Sequence, residues 1–128
     1  MDSAIRGQIT FRERSQQIRD YSGLRYGNIT PTDIDGFIEY KDKAFVFIEL
    51  KFEGAKESYG QTLALERLCD GLEKSKPCLL IIAKHDFPAN KDILAHTCKV
   101  DRYRYKAQWR VCKENVKELI DRFIASVD

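Results

Sequence analysis

The chain has 128 residues, 43% of them hydrophobic and 33% charged, which suits a single folded domain over residues 1–128 and excludes a disordered chain. A net charge of +2 is too small to imply nucleic acid by itself, and no apolar run is long enough to span a bilayer. The N-terminus "MDSAIRGQITFRER" lacks an apolar signal region, so the expectation is a soluble, cytoplasmic protein with no membrane partner.

The elements follow in chain order. Residues 10–22, "TFRERSQQIRDYS", read as a helix in which Thr10 and Glu13 form a capping box and Gly23 a stop. "RYGNITPTD" is a loop, with Gly27, Asn28 and Pro31 as breakers. Two strands follow, Asp35 to Tyr40 and Ala44 to Phe52, joined by the turn "KDK". Residues 60–74 read as a helix with Leu65, Leu68 and Leu72 on its buried stripe, and Pro77 beyond its end. "PCLLIIAKH" is a short continuous apolar run, the mark of a strand covered on both faces. "FPANKDILAH" is a loop with one helical turn. "CKVDRYRYKAQW" alternates as an edge strand with one wet face and a slip at Asp101. A last helix from about residue 113 presents Val116, Leu119, Ile120, Phe123, Ile124 and Val127 on one face.

The order α-β-β-α-β-β-α, with a β-α-β unit from residue 44 to 85, predicts an α/β fold: a mixed sheet flanked by helices, with one parallel pair joined by a right-handed crossover. Cys69, Cys78, Cys98 and Cys112 are widely separated and lack zinc spacing, so they read as small reduced hydrophobes. His85 and His96 have no partner at ligand spacing and read as structural or solvated.

The second strand carries the chemistry. Ala44, Val46, Ile48, Leu50 and Phe52 make one wholly apolar face. On the other face Phe45 and Phe47 are followed by Glu49 and Lys51, so a strand covered on both sides ends on charge. With "KDK" as a three-residue loop, Tyr40 opposes Ala44, Asp35 opposes Glu49 and Asp33 opposes Lys51. Opposed side chains on one face have Cβ atoms about 4.5–5.5 Å apart. Two carboxylates held so close repel each other unless a divalent cation lies between them, and Mg²⁺ is held by one or two carboxylates, waters and phosphate oxygens. Lys51, two residues along, would then orient a water or neutralise charge on phosphate. The plainer alternative pairs Asp33 with Lys51 and leaves Glu49 at a wet sheet rim. A register slip of one residue would move Asp35 to the other face from Glu49.

The full pattern, "PTDIDGFIEY", a short turn, "AFVFIELK" and a helix opening "GQTLALERL", resembles the PD-(D/E)xK nuclease superfamily, whose members include restriction-endonuclease-like and small junction-resolvase-like proteins. The likeness runs over residues 10–85. It implies a restriction-endonuclease-like core and a Mg²⁺-dependent endodeoxyribonuclease, with Mn²⁺ able to substitute. Carried over by position, it makes Asp35 and Glu49 the metal ligands together with the Leu50 carbonyl. Lys51 becomes the lysine acting on water, and Gln61 the supporting residue of the following helix. Thr32 separates Pro31 from Asp33, so the Pro-Asp dipeptide is not intact; either Asp33 or Asp35 supplies the ligand, with Asp35 preferred because it falls opposite Glu49.

Around this centre, Gln61 shares the helical stripe of Leu65, Leu68 and Leu72, which leaves two equal readings, a residue that reaches the site and an exposed first-turn residue; the resemblance tips it toward the site. Glu13 reads as a cap before it reads as a further acid. "KVDRYRYKAQWR" interleaves bases with aromatics, as suits phosphate contact and base stacking, but an ordinary edge strand guarded by charge is the simpler explanation. Arg6, Arg12, Arg14, Arg19 and Arg25 would flank a DNA cleft only if the fold brings them there. DNA is the expected partner, structure-directed or guided by a protein partner that supplies specificity, and a homodimer would pair two sites. The alternative is a catalytically silent nuclease-like module for nucleic-acid binding or assembly.

Overall fold

A computed structural model of the chain describes residues 19–56 and 58–128. The chain divides into two units with the boundary between Pro31 and Thr32. In the described part of the first unit, the Leu24 N–H donates to the Tyr21 carbonyl at 2.8 Å, and Tyr26 and Ile29 pair across a tight turn. Gly27 at φ 65° makes that turn accessible. Residues 19–22 are not helical; the rest of the helix expected over 10–22, with Thr10 and Glu13, lies outside the described residues.

The second unit, Thr32–Asp128, carries a five-stranded mixed sheet and two α-helices. Its elements are β1 (Gly36–Tyr40), β2 (Ala44–Phe52), α1 (Tyr59–Glu73), β3 (Cys78–His85), a 3-10 turn (Ala95–Thr97), β4 (Lys99–Tyr105), β5 (Gln108–Arg110) and α2 (Val116–Val127). The strands lie in chain order across the sheet. β2 and β3 are parallel, as the β-α-β reading requires, and the other neighbours are antiparallel. Among the described residues no helix is long and apolar enough to cross a membrane.

Strand parity sorts the core into two layers. Ala44, Val46, Leu79, Ile81, Ala83 and Val100 pack under α2 with Leu119, Ile120 and Phe123. Phe47, Leu80 and Ile82 pack on the opposite face with Leu65 and Cys69 of α1. β3 is buried from Cys78 to Ala83, because both layers close over it. The Asn115 side chain accepts from the Glu118 N–H at 2.9 Å and the Glu118 carboxylate accepts from the Asn115 N–H at 2.9 Å, so α2 starts at a capping box rather than near residue 113.

Two expectations are corrected. "CKVDRYRYKAQW" is not an edge strand. It folds back at Lys106 (φ 52°) and Ala107 (φ 59°), making β4 interior and the short β5 the edge. That left-handed turn carries no Gly, Asn or Asp, so it gave no breaker signal. The slip at Asp101 is present: Ile82 pairs with Arg102 but Ala83 with Val100, which leaves Asp101 as the bulge. On α1, Leu68 is 37% exposed and Cys69 is fully buried in its place, since α1 turns its buried line toward β2 and β3 through Leu65 and Cys69. All four cysteines are free. Contact with Cys78, and then burial, raises the Cys69 thiol far above the ordinary range, as suits an inert hydrophobe.

The two leucines of α1 separate by mutation. Leu65→Ala should cost about 2–5 kcal/mol through an uncollapsed cavity, whereas Leu68→Ala should cost less than about 1 kcal/mol. Urea unfolding of the two variants beside the parent checks this, and equal losses would contradict the assigned helix face.

Candidate functional site

β1 and β2 pair in the expected register, Gly36 with Ile48 through Tyr40 with Ala44. Lys41 (φ 48°) and Asp42 (φ 61°) form the loop, closed by the Lys43 N–H donating to the Tyr40 carbonyl at 2.7 Å. The loop thereby fixes the register at the far end, where Asp35 stands just before β1 beside Glu49 and Leu50. The Leu50 N–H donates to Asp35 Oδ2 at 2.8 Å. The odd residues Phe45 and Glu53 donate their N–H groups toward the β3 side, so the even ones face the β1 side. The N–H and C=O of one residue share a lateral direction in a strand. The Leu50 carbonyl is therefore turned to the edge where Asp35 sits, while its side chain packs on the α2 layer.

Glu49 is the only buried charged side chain among the described residues, at 3% exposure. It lies under the first turn of α1. Its Oε1 accepts from Gln61 Nε2 at 3.0 Å and stands 3.5 Å from Lys51 Nζ. Lys51 Nζ also donates to Gln61 Oε1 at 3.1 Å. Gln61 is held in turn: its backbone N–H donates to Ser58 Oγ at the helix N-cap, 3.3 Å, and its amide donates to the Asp33 carbonyl, 3.3 Å. One glutamine thus bridges the acid, the lysine and the segment leading into β1.

Glu49 Oε2 has no hydrogen-bond partner. Burial, and after it the negative charge of Asp35, pushes the Glu49 carboxyl up to about 7, against the opposing pull of Lys51. The pair therefore either holds a proton or repels, and a cation at the same place answers both the lone oxygen and the repulsion. Two carboxylates and a backbone carbonyl fit the way Mg²⁺ is bound, with waters and phosphate oxygens supplying the rest. Among the described residues no group of three or more His, Cys, Asp or Glu side chains is arranged around a metal-sized space, so a cage made wholly of protein is not what this site provides.

Asp35, Glu49, Leu50, Lys51 and Gln61 are thus brought together. The wet-rim alternative does not hold, because Glu49 is buried and Lys51 pairs with it rather than with Asp33. Asp33 contributes only its backbone carbonyl to the bonded network. Glu13, Arg6, Arg12 and Arg14 lie outside the described residues. His85 packs against Phe52 and Phe87, and its Nδ1 accepts from the Phe87 N–H at 3.2 Å. His96 is exposed in the 3-10 turn.

The other flank of α1 was not anticipated. Glu66 accepts from the Trp109 indole at 2.7 Å, Asp70 takes Arg104 in a two-pronged pair at 2.7 Å each, and Glu73 accepts from the Lys106 N–H at 2.9 Å. The Arg104 hydrogen bonds hold the Asp70 carboxyl below its ordinary value. Acids at positions i, i+4 and i+7 were the available signal. They clamp α1 to the β4–β5 hairpin and so fix the turn that carries Gln61.

No protein-family model matches the chain, and no curated protein or solved structure matches it.

Because the Glu49 carboxyl is raised from the ordinary 4.5 to about 7, the folded chain keeps a proton that the unfolded chain has lost. The stability this group contributes is full at acid pH and is lost as pH rises through that interval. In EDTA, Glu49→Gln should remove this loss and leave the variant more stable than the parent above the transition, by on the order of 1–3 kcal/mol. Urea melts of both proteins across the interval check it through their difference, since other acids titrate equally in both. A difference that does not change with pH would contradict the raised carboxyl.

Proposed function

We propose that Asp35, Glu49, Lys51 and Gln61 form the active centre of a Mg²⁺-dependent endodeoxyribonuclease of the PD-(D/E)xK type, with Mn²⁺ able to substitute. The observation that carries this reading is Glu49, a buried carboxylate with one oxygen lacking a partner, set beside Asp35 and in contact with an ammonium and an amide. The antiparallel hairpin, the crossover helix and the parallel third strand support this reading.

When bound, the cation would polarise a phosphate oxygen and lower the pKa of water beside it. Asp35 and Glu49 would hold it, with the Leu50 carbonyl as a further ligand. Lys51, 3.5 Å from Glu49, orients the attacking water and offsets charge developing on the phosphodiester. Gln61 keeps Lys51 and Glu49 in register through its two amide atoms. Burial of Glu49 removes competing water and strengthens each of these contacts.

Two measurements test the reading. DNA cleavage should require Mg²⁺ or Mn²⁺, stop in EDTA, and fall at least about 100-fold in Lys51→Ala, with circular dichroism unchanged; cleavage by Lys51→Ala at the parent rate would contradict the role of the lysine. Mn²⁺ should raise the parent melting temperature, and Asp35→Asn should remove most of that rise. A rise that survives Asp35→Asn would move the ligand to Asp33.

A further inference from the structure

A second feature lies on the same sheet face as Glu49. A groove of about 300 Å³ opens between the first turns of α1 and the β4–β5 hairpin, lined by Tyr59, Thr62, Leu63, Glu66, Arg102 and Trp109. Three of its lining residues, Tyr59, Arg102 and Trp109, carry planar groups. The Arg102 guanidinium lies over the Trp109 ring at 4.7 Å, and the Trp109 indole is fixed by its hydrogen bond to Glu66. Tyr59 is 79% exposed at the mouth, where its ring is open to a ligand.

The groove is tied to the carboxylate pair by register. Ile82 of β3 pairs with Glu49 on one side and Arg102 on the other. Glu49 and Arg102 are thus two strand spacings apart, about 10 Å, on one face. One row further on, Lys51, Lys84 and Lys99 are paired in turn across β2, β3 and β4. Lys84 is shared with Asp101 at 3.4 Å in a solvent-exposed pair, a contact weak enough to exchange for phosphate. A row of lysines therefore crosses β2, β3 and β4 beside the carboxylates, one row from the groove residue Arg102.

We propose that this groove takes an unpaired nucleobase of a DNA strand whose neighbouring phosphate lies at Asp35, Glu49 and Lys51. This rests on the nuclease reading of that site and narrows its substrate to DNA with an unstacked nucleotide beside the cleaved bond. Aromatic and guanidinium planes stack on any base through its π-face, and Glu66 and Thr62 offer polar edges at the rim. The basic and aromatic residues of "KVDRYRYKAQWR" then divide by task. Arg104 holds α1 through Asp70, while Arg102 and Trp109 face the groove.

Trp109 is the only tryptophan in the chain, so its fluorescence reports the groove directly. The full chain is titrated in EDTA with a single-stranded oligonucleotide and with an abasic strand of equal length, and anisotropy of the labelled strands follows total binding. The base-bearing strand should quench Trp109 saturably and the abasic strand should leave it near its free level. Tyr59→Ala should weaken the quenching interaction about tenfold, the loss expected for one base–aromatic stack. Equal quenching by the abasic strand, binding without quenching, or unchanged affinity in Tyr59→Ala would overturn the proposal. Cleavage in Mg²⁺ is scored separately. Cutting without quenching removes the groove alone, and quenching without cutting in either metal removes the nuclease reading alone.

Discussion

Burial of Glu49 is the constraint on which the rest of the site depends. The residue lies on the odd-numbered face of β2, and that face is covered by α1 because Phe45 and Phe47 precede it and Leu65 and Cys69 pack above them. Charge is costly under such a cover unless it is paired and hydrogen-bonded. One oxygen of Glu49 is served by Gln61 and approached by Lys51; the other is not served at all. Asp35, across the hairpin, makes matters worse for two ionised acids and better for an acid pair holding a proton or a divalent cation. The same geometry that makes the site expensive in isolation leaves Glu49 Oε2 open to a proton or, on the proposed reading, a divalent cation.

The rest of the second unit holds that geometry still. The β1–β2 loop sets which residue faces Glu49, since a shift of one place would turn Asp35 to the α2 layer. β3 runs parallel to β2 and keeps the strand buried on both faces up to Ala83. α1 is fixed from its far flank by Glu66, Asp70 and Glu73 on the β4–β5 hairpin. Its first turn can therefore present Gln61 without relying on the site for its own position. Arg104 and Asp70 form the strongest of these clamps, two parallel hydrogen bonds between guanidinium and carboxylate.

Much of this was legible in the sequence. A loop of three residues between two strands of known parity sets the register, and the register brings Asp35 to Glu49. The apolar run "CLLIIA" marks a strand covered on both faces, and the alternation of "KVDRYRY" breaks at the bulge residue, Asp101. What escaped has a physical reason in each case. Lys106 and Ala107 adopt left-handed backbone with no Gly or Asn to announce it, so one strand was expected where two exist. Leucine is the more obvious marker of burial, yet Cys69 lies inside with Leu65 and Leu68 does not, while the acids of α1 bond the β4–β5 hairpin. Helical spacing alone leaves Gln61 either at the site or exposed in the first turn, because its threefold attachment to Glu49, Lys51 and the Asp33 carbonyl depends on the fold.

The central claim is that one place beside Glu49 holds either a proton or a divalent cation. Calorimetric titration of Mn²⁺ into the full chain, in two buffers of different ionisation enthalpy, measures the protons released on binding. The titrations are run about one pH unit below and above the Glu49 transition near 7. The account predicts release of about one proton below the transition, little above it, and tighter binding as pH rises. It also predicts that Glu49→Gln loses the proton release together with most of the affinity. Absence of Mn²⁺ binding, or the same proton release from Glu49→Gln as from the parent, would contradict it.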